Sequence, residues 1–193
     1  MDRNKLLKVL DREVDNKNII KHMLATEACM GALWEHLSEK QSDRVKETKD
    51  EWLMAGLMHD GDYKDSVPME RQGVEITKTL MEEGIAVSDA VAHAMAAHNS
   101  QTKVEPESLM DWSIFCVDSL TGLIVAATLV LPEKKLSQVT AERVLNRFKE
   151  KAFARGTRRD EIGMCEDKLG IPLDKFVEIS LKAMQEVSDD LGL

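Results

Sequence analysis

The sequence predicts an all-α fold, and three observations point to it. Apolar residues recur at three- and four-residue steps along nearly the whole chain, the spacing of one helix face. No stretch alternates with period two for long enough to suggest a sheet. Unbranched Ala, Leu, Met, Glu and Lys are plentiful, whereas only 4% of residues are aromatic and four are proline. Such side chains lose little rotamer freedom in a helix.

The elements follow in order. A first helix is expected over 3–14 and a second over 18–38, where Ile19, His22, Met23, Thr26, Met30, Leu33 and Leu37 share one face. A third over 43–60 takes Asp43 as its N-cap and carries the apolar run Trp52-Leu-Met-Ala-Gly-Leu-Met into His59 and Asp60. The polar stretch Gly61-Asp62-Tyr63-Lys64-Asp65 ends it. Pro68 suits the first turn of a helix over 68–83, where its missing N–H is not needed, and Gly84 suits the left-handed residue that closes it. Ser88 caps a helix over 88–98, Pro106 opens a long apolar one over 106–130, and Thr140 caps one over 140–153. Helices over 158–169, ended by Gly170, and 174–191 complete the chain.

A chain of 193 residues can bury one substantial core. With no repeat, low-complexity tract or Pro/Gly/Ser-rich linker, residues 1–193 read as a single helical domain. The candidate site falls in a core of about 18–131, and 132–193 form a C-terminal extension in which a distinct lobe would begin after Pro132. The 26 Lys and Arg against 35 Asp and Glu give a formal charge of −9, which disfavours nucleic acid and anionic membranes as partners. A small phosphorylated molecule remains compatible, because net charge does not set the field inside one cleft. Cys29, Cys116 and Cys165 are odd in number and set among apolar residues, as reduced core thiols of a cytoplasmic protein would be. No cleavable apolar segment follows Met1-Asp-Arg-Asn-Lys, and the apolar run around Leu120 to Leu131 falls short of the about 20 residues that span a bilayer. A homodimer is compatible with helical faces that could pair, although no interface is legible.

The residue that most demands an explanation is Asp118, in the middle of the most apolar stretch, Trp112-Ser-Ile-Phe-Cys-Val-Asp-Ser-Leu-Thr-Gly-Leu-Ile. A buried carboxylate costs several kcal/mol unless a cation or hydrogen bonds compensate it. A metal ion would do so, and the candidate co-ligands are His22 on its inward helix face and the His59-Asp60 pair. Neighbouring helical residues diverge by about 100°, so His59 and Asp60 reach one ion only at a helix edge or in a distorted last turn, which Gly61 makes easy. For each of these the bland alternative is a satisfied core histidine or a polar helix end.

Taken together, these pieces resemble the HD superfamily of metal-dependent phosphohydrolases, named after its His-Asp doublet. "GLMHDGDYKD" is similar to its "GLLHD" segment, "AMAAHN" to a later helix ending in His, and "FCVDSLTGLI" to its Asp-bearing helix. The likeness covers roughly 18–131, while "FKEKAFARGTRRDEI" resembles an extension of bacterial members without assigned activity. The resemblance implies a helical bundle with His22, His59, Asp60 and Asp118 around a divalent first-row ion such as Mn, Fe, Co, Ni or Zn. His98 matches a ligand of two-metal members, but Arg71-Gln72-Gly73 places Gln72 where a second histidine is expected. An amide oxygen is the weaker ligand, so one ion is expected. His93 lies roughly 140° around the helix from His98 and reads as structural, and His36 as exposed.

The chemistry implied is hydrolysis of a phosphate ester of a small nucleotide or related metabolite, with the ion activating water and polarising the phosphoryl oxygen. Asp60 is expected to orient that water. Lys64 is the nearest phosphate donor by sequence, with Arg71 another, and Lys21 faces away from His22. The basic island Arg143, Arg147, Lys149, Lys151, Arg155, Arg158 and Arg159 has Glu142, Glu150, Asp160 and Glu161 nearby and reads mostly as a solvated face, with Arg155 or Arg159 as its substrate-facing candidates. Glu27 is either a support for the site or merely polar, and Asp62 and Asp65 either hold water or make a turn. Two other functions fit the same scaffold: a non-catalytic ligand-binding or regulatory module, and a di-iron oxygenase, which needs the second site that Gln72 weakens.

Overall fold

The computed structural model describes residues 1–193, which form helices joined by turns and loops, with no strand. The helices are α1 (Arg3–Glu13), α2 (Lys17–Lys40), α3 (Lys49–Met58), α4 (Glu75–Glu82), α5 (Asp89–Ala97), α6 (Leu109–Leu129), α7 (Ala141–Lys149), α8 (Arg159–Gly163), α9 (Cys165–Leu169), α10 (Leu173–Glu186) and α11 (Ser188–Leu191). The all-α expectation holds.

Helix α2 is the axis of the bundle, packed by α3, α6 and α10. Its contact with α3 is close because Gly56 has no side chain. A Cβ there would lie 2.9 Å from the Glu27 Cα and 3.0 Å from the Glu27 nitrogen. One hydrophobic cluster includes Leu6 and Leu10 of α1, Met23 and Leu33 of α2, Trp52 of α3, Leu120 of α6 and Phe176 of α10. Val144, Ile162 and Met184 belong to it too, so the segment after Pro132 packs into the shared core instead of standing off as a lobe. Helix α6 alone is long and apolar enough to cross a membrane, and 61% of that apolar window is buried inside the fold. The apolar run therefore extends through a full 21-residue helix, longer than the sequence estimate, and the bundle core uses it.

Several helix ends differ from the expected ones, each for a local reason. Helix α3 starts at Lys49 because Thr48 and Glu51 form a reciprocal capping box, which leaves Asp43 in a turn. Ser108 and Asp111 do the same for α6, so Pro106 stays outside it. The helix expected over 68–83 is broken: Pro68 precedes the 3-10 turn Met69–Arg71, and α4 begins only at Glu75. Gly73 makes the break at φ 85°, in the left-handed region, and a Cβ there would sit 2.2 Å from the Met95 carbonyl oxygen. Asp62 fastens this corner, its two carboxylate oxygens accepting from the Gly73 nitrogen at 2.7 Å and the Ile76 nitrogen at 2.8 Å.

Candidate metal centre

Four helices deliver the polar groups of one cluster. His22 comes from the second turn of α2, His59 caps the C-terminus of α3, His98 caps that of α5, and Asp118 sits midway along α6. Past Met58 the chain tightens into three-residue turns, with Gly61 N–H donating to the Met58 carbonyl at 2.9 Å and Tyr63 N–H to that of Asp60 at 3.0 Å. That tightening is the distortion the adjacent pair requires. It brings His59 Nε2 and Asp60 Oδ2 to 3.6 Å.

Further short separations surround His22 and His59. His22 Nε2 lies 3.2 Å from His59 Nε2, 2.8 Å from Asp118 Oδ1 and 3.7 Å from Asp60 Oδ2, and His59 Nε2 lies 3.8 Å from Asp118 Oδ1. Metal bonds of about 2.0–2.2 Å place neighbouring ligand atoms roughly 2.8–3.6 Å apart on a tetrahedral or octahedral edge. The shorter of these separations fall within that range, and those of 3.7 and 3.8 Å lie just beyond it. His22, His59 and Asp118 form one group able to hold an ion, and His59, Asp60 and His98 form another. Asp60 faces both ways, its Oδ1 standing 3.3 Å from His98 Nε2.

Hydrogen bonds behind the rings fix their orientation. His59 Nδ1 is 2.9 Å from the Gly56 carbonyl, and His98 Nδ1 meets the Met95 carbonyl. A carbonyl only accepts, so the Nδ1 atoms carry the protons and the Nε2 lone pairs face the cluster. His22 Nδ1 is 2.9 Å from Thr121 Oγ1, whose own proton goes to the Asp118 carbonyl at 2.8 Å, so the same tautomer results. Neutral imidazoles and ionised carboxylates thus aim acceptors at one another. Such a cluster requires positive charge at its centre.

The titration of the groups expresses that demand. Burial opposes charge on His22, yet the hydrogen bond and charge of Asp118, with Asp60 behind it, raise its pKa from the ordinary histidine value. His98 is raised in the same way against burial, through Asp60 first. Burial pushes the Asp60 carboxyl up, but His59 and His98 overcome this and bring it to about 2. Asp118 is likewise held well below the carboxylate range despite burial, chiefly by His22 and His59. A divalent ion and protons compete to meet one requirement.

One cation reaches this centre, and it is Arg158, which precedes α8. Its Nη2 donates to Asp118 Oδ2 at 2.5 Å, while its Nε donates to Glu161, a largely buried carboxylate whose pKa burial raises. The expected phosphate donors lie elsewhere. Lys64 Nζ pairs with Glu13 Oε2 at 2.8 Å, because the turn after Asp60 points it toward α1. Arg71 pairs with Glu75, Arg155 is exposed and makes no ion pair, and the Arg159 guanidinium is spent on backbone carbonyls including Phe148 and Phe153. Lys21, expected to face away, instead lines with His22 and Thr121 a cleft of about 440 Å³.

Other candidates resolve into structure. Glu27 is buried and accepts two hydrogen bonds from Arg3, at 2.7 and 2.8 Å. His93 Nδ1 meets the buried Asp111 carboxylate at 2.9 Å, away from the cluster, and His36 is half-buried where exposure was expected. Gln72 is buried with its Nε2 3.4 Å from the Val67 carbonyl and has no polar contact with the cluster. Asp65 is exposed. The three cysteines are free and buried. Sequence reasoning missed Thr121, although its place three residues after Asp118 puts it on the same face. It also passed over Arg158, which lies 40 residues from Asp118 and has no local signal. No protein-family model matches the chain, and neither a curated protein nor a solved structure matches it.

Proposed function

We propose that the chain is a metal-dependent phosphohydrolase of the HD superfamily, acting on a phosphate ester of a small nucleotide or related metabolite. The observation that carries this reading is the convergence of His22 Nε2, Asp60 Oδ2 and Asp118 Oδ1 on His59 Nε2, at 3.2, 3.6 and 3.8 Å, in two groups that share His59, each an acceptor and none with a protein donor of its own in the neutral tautomer. These residues would hold a divalent first-row ion. When bound, such an ion supplies Lewis acidity toward a phosphoryl oxygen and toward water.

The chain's own groups account for the rest. One imidazole lone pair serves one ion, so the two groups that share His59 compete for it, and one ion per chain is the stoichiometry we infer. Asp60 keeps Oδ1 toward His98, and this pair orients water and holds the proton it gives up. Attack of the water oxygen on phosphorus breaks the ester P–O bond, and the proton passes to the departing alkoxide. The cleft beside His22, walled by Lys21, Asn18, Val125 and Leu129, has room for the non-phosphate part of a small metabolite.

The test is turnover of a panel of phosphomonoesters, cyclic nucleotides and dinucleotides by the native chain and Asp60→Ala, each loaded with Mn, Fe, Co, Ni or Zn. Release of phosphate or cleaved product by the native chain only is expected. A native chain that holds metal and turns over none of them is not a hydrolase of this kind.

A further inference from the structure

We infer that Arg158 is the phosphate-recognition residue of this site, an inference that deepens the hydrolase reading and rests on it. Of the chain's lysines and arginines, only Arg158 is joined directly to a group of the cluster, through Nη2 to Asp118 Oδ2. The oxygen it holds is the outer one, because Asp118 Oδ1 is turned to His22 at 2.8 Å. A ligand that reaches the centre therefore comes within range of the guanidinium.

The guanidinium is also held ready. Glu161 takes Nε while Asp118 takes Nη2, and two anchors on two helices fix the plane of the fork. Arg has five N–H donors in that plane, and these two bonds use two of them. The other three have no acceptor in the protein, and the side chain is 46% exposed. A fixed planar fork with free donors suits a phosphoryl group, which accepts two parallel charge-assisted hydrogen bonds. Lys64 is committed to Glu13, Arg71 to Glu75 and Arg159 to backbone carbonyls, whereas Lys21, on the cleft beside His22, and the exposed Arg155 make no bond to the cluster.

Charge balance agrees with this assignment. Asp60, Asp118 and Glu161 bring three negative charges close to the centre, and Arg158 returns one positive charge on the side that is open to solvent. Without it, an incoming phosphate would meet two or more carboxylates beside a single divalent ion. Its anchoring by Glu161 makes that carboxylate a positioning group for the fork.

Inorganic phosphate is the probe. Its dissociation constant is measured by titration calorimetry on the full native chain saturated with Mn or Zn, and on Arg158→Ala, Arg158→Lys and Glu161→Gln under the same conditions. Metal content is determined on every sample, and circular dichroism checks the fold. Phosphate binding is expected to weaken roughly tenfold or more in Arg158→Ala, with metal content equal to native. Arg158→Lys keeps the charge, is the variant most apt to stay folded, and is expected to recover only part of the loss because it lacks the fork. Unchanged phosphate binding in both Arg158 variants at equal metal content overturns the inference and leaves the metal site standing. A native chain that binds no phosphate overturns it also. A native chain that binds phosphate through Arg158 but takes up no metal keeps the inference and removes the hydrolase reading beneath it.

Discussion

Thr121 Oγ1 lies 2.9 Å from His22 Nδ1 and gives its own proton to the Asp118 carbonyl one turn back on α6. A hydroxyl with its proton committed can only accept from the imidazole, so Thr121 sets which nitrogen of His22 faces the cluster. Thr121→Val keeps the shape and removes the acceptor. Metal affinity is expected to fall roughly 10- to 100-fold, as for other residues that orient a ligating histidine, and Thr121→Ser to restore most of it. Competition with a fluorescent chelator measures both.

Gly56 allows α2 and α3 to approach, and it lies three residues before His59. In Gly56→Ala the new Cβ meets Glu27 backbone atoms at 2.9 to 3.0 Å, which cannot move without shifting α2. A loss of about 1–3 kcal/mol in urea unfolding is expected. Metal affinity should drop with it, since His22 and His59 ride on the two helices forced apart.

Lys64 supports structure and is no phosphate donor in this arrangement, so Lys64→Ala should leave turnover of any substrate found unchanged. Its ion pair is half-exposed, and its removal is expected to cost under about 1 kcal/mol. Hydrogen bonds from Lys64 and Arg12 hold the Glu13 carboxyl below the usual range against a smaller effect of burial. A lowered folded value contributes stability above the unfolded pKa, and this is lost as pH falls through the folded one. The difference between native and Lys64→Ala in urea midpoints should therefore be present at pH 7 and fade below about pH 4.

Bound metal should stabilise the bundle by tying α2, α3 and α6 together at one point. At free metal near a hundred times its dissociation constant the gain is about 2.7 kcal/mol, or roughly 5–10 °C in Tm for a chain of this size. Chelation should remove that increment in the native chain. In Asp118→Ala the midpoint should be the same with and without metal.

The fold class was legible because helical periodicity is local and repeated, and because no competing period interrupts it. Helix ends were less so. Thr48 and Ser108 are better caps than Asp43 and Pro106 only because Glu51 and Asp111 reach back to them, and the break at Gly73 depends on the approach of Met95 from another helix. At the site, His22, His59, Asp60 and Asp118 stood out as polar groups in apolar settings, and the structure brings them together with His98. Lys64 looked promising by adjacency alone, but direction along a turn decides reach. Arg158 carried no such mark, because its partner is fixed by how α8 packs on α6.

The most direct measurement is anomalous scattering from crystals of the purified chain, collected at the absorption edges of first-row metals and paired with elemental analysis of the same sample. One ion within about 2.0–2.3 Å of His22 Nε2, His59 Nε2 and carboxylate oxygens of Asp60 and Asp118, at close to one per chain, is the expected result. A chain soaked in each of these metals that shows no peak among those four side chains, or a peak only elsewhere, contradicts the account.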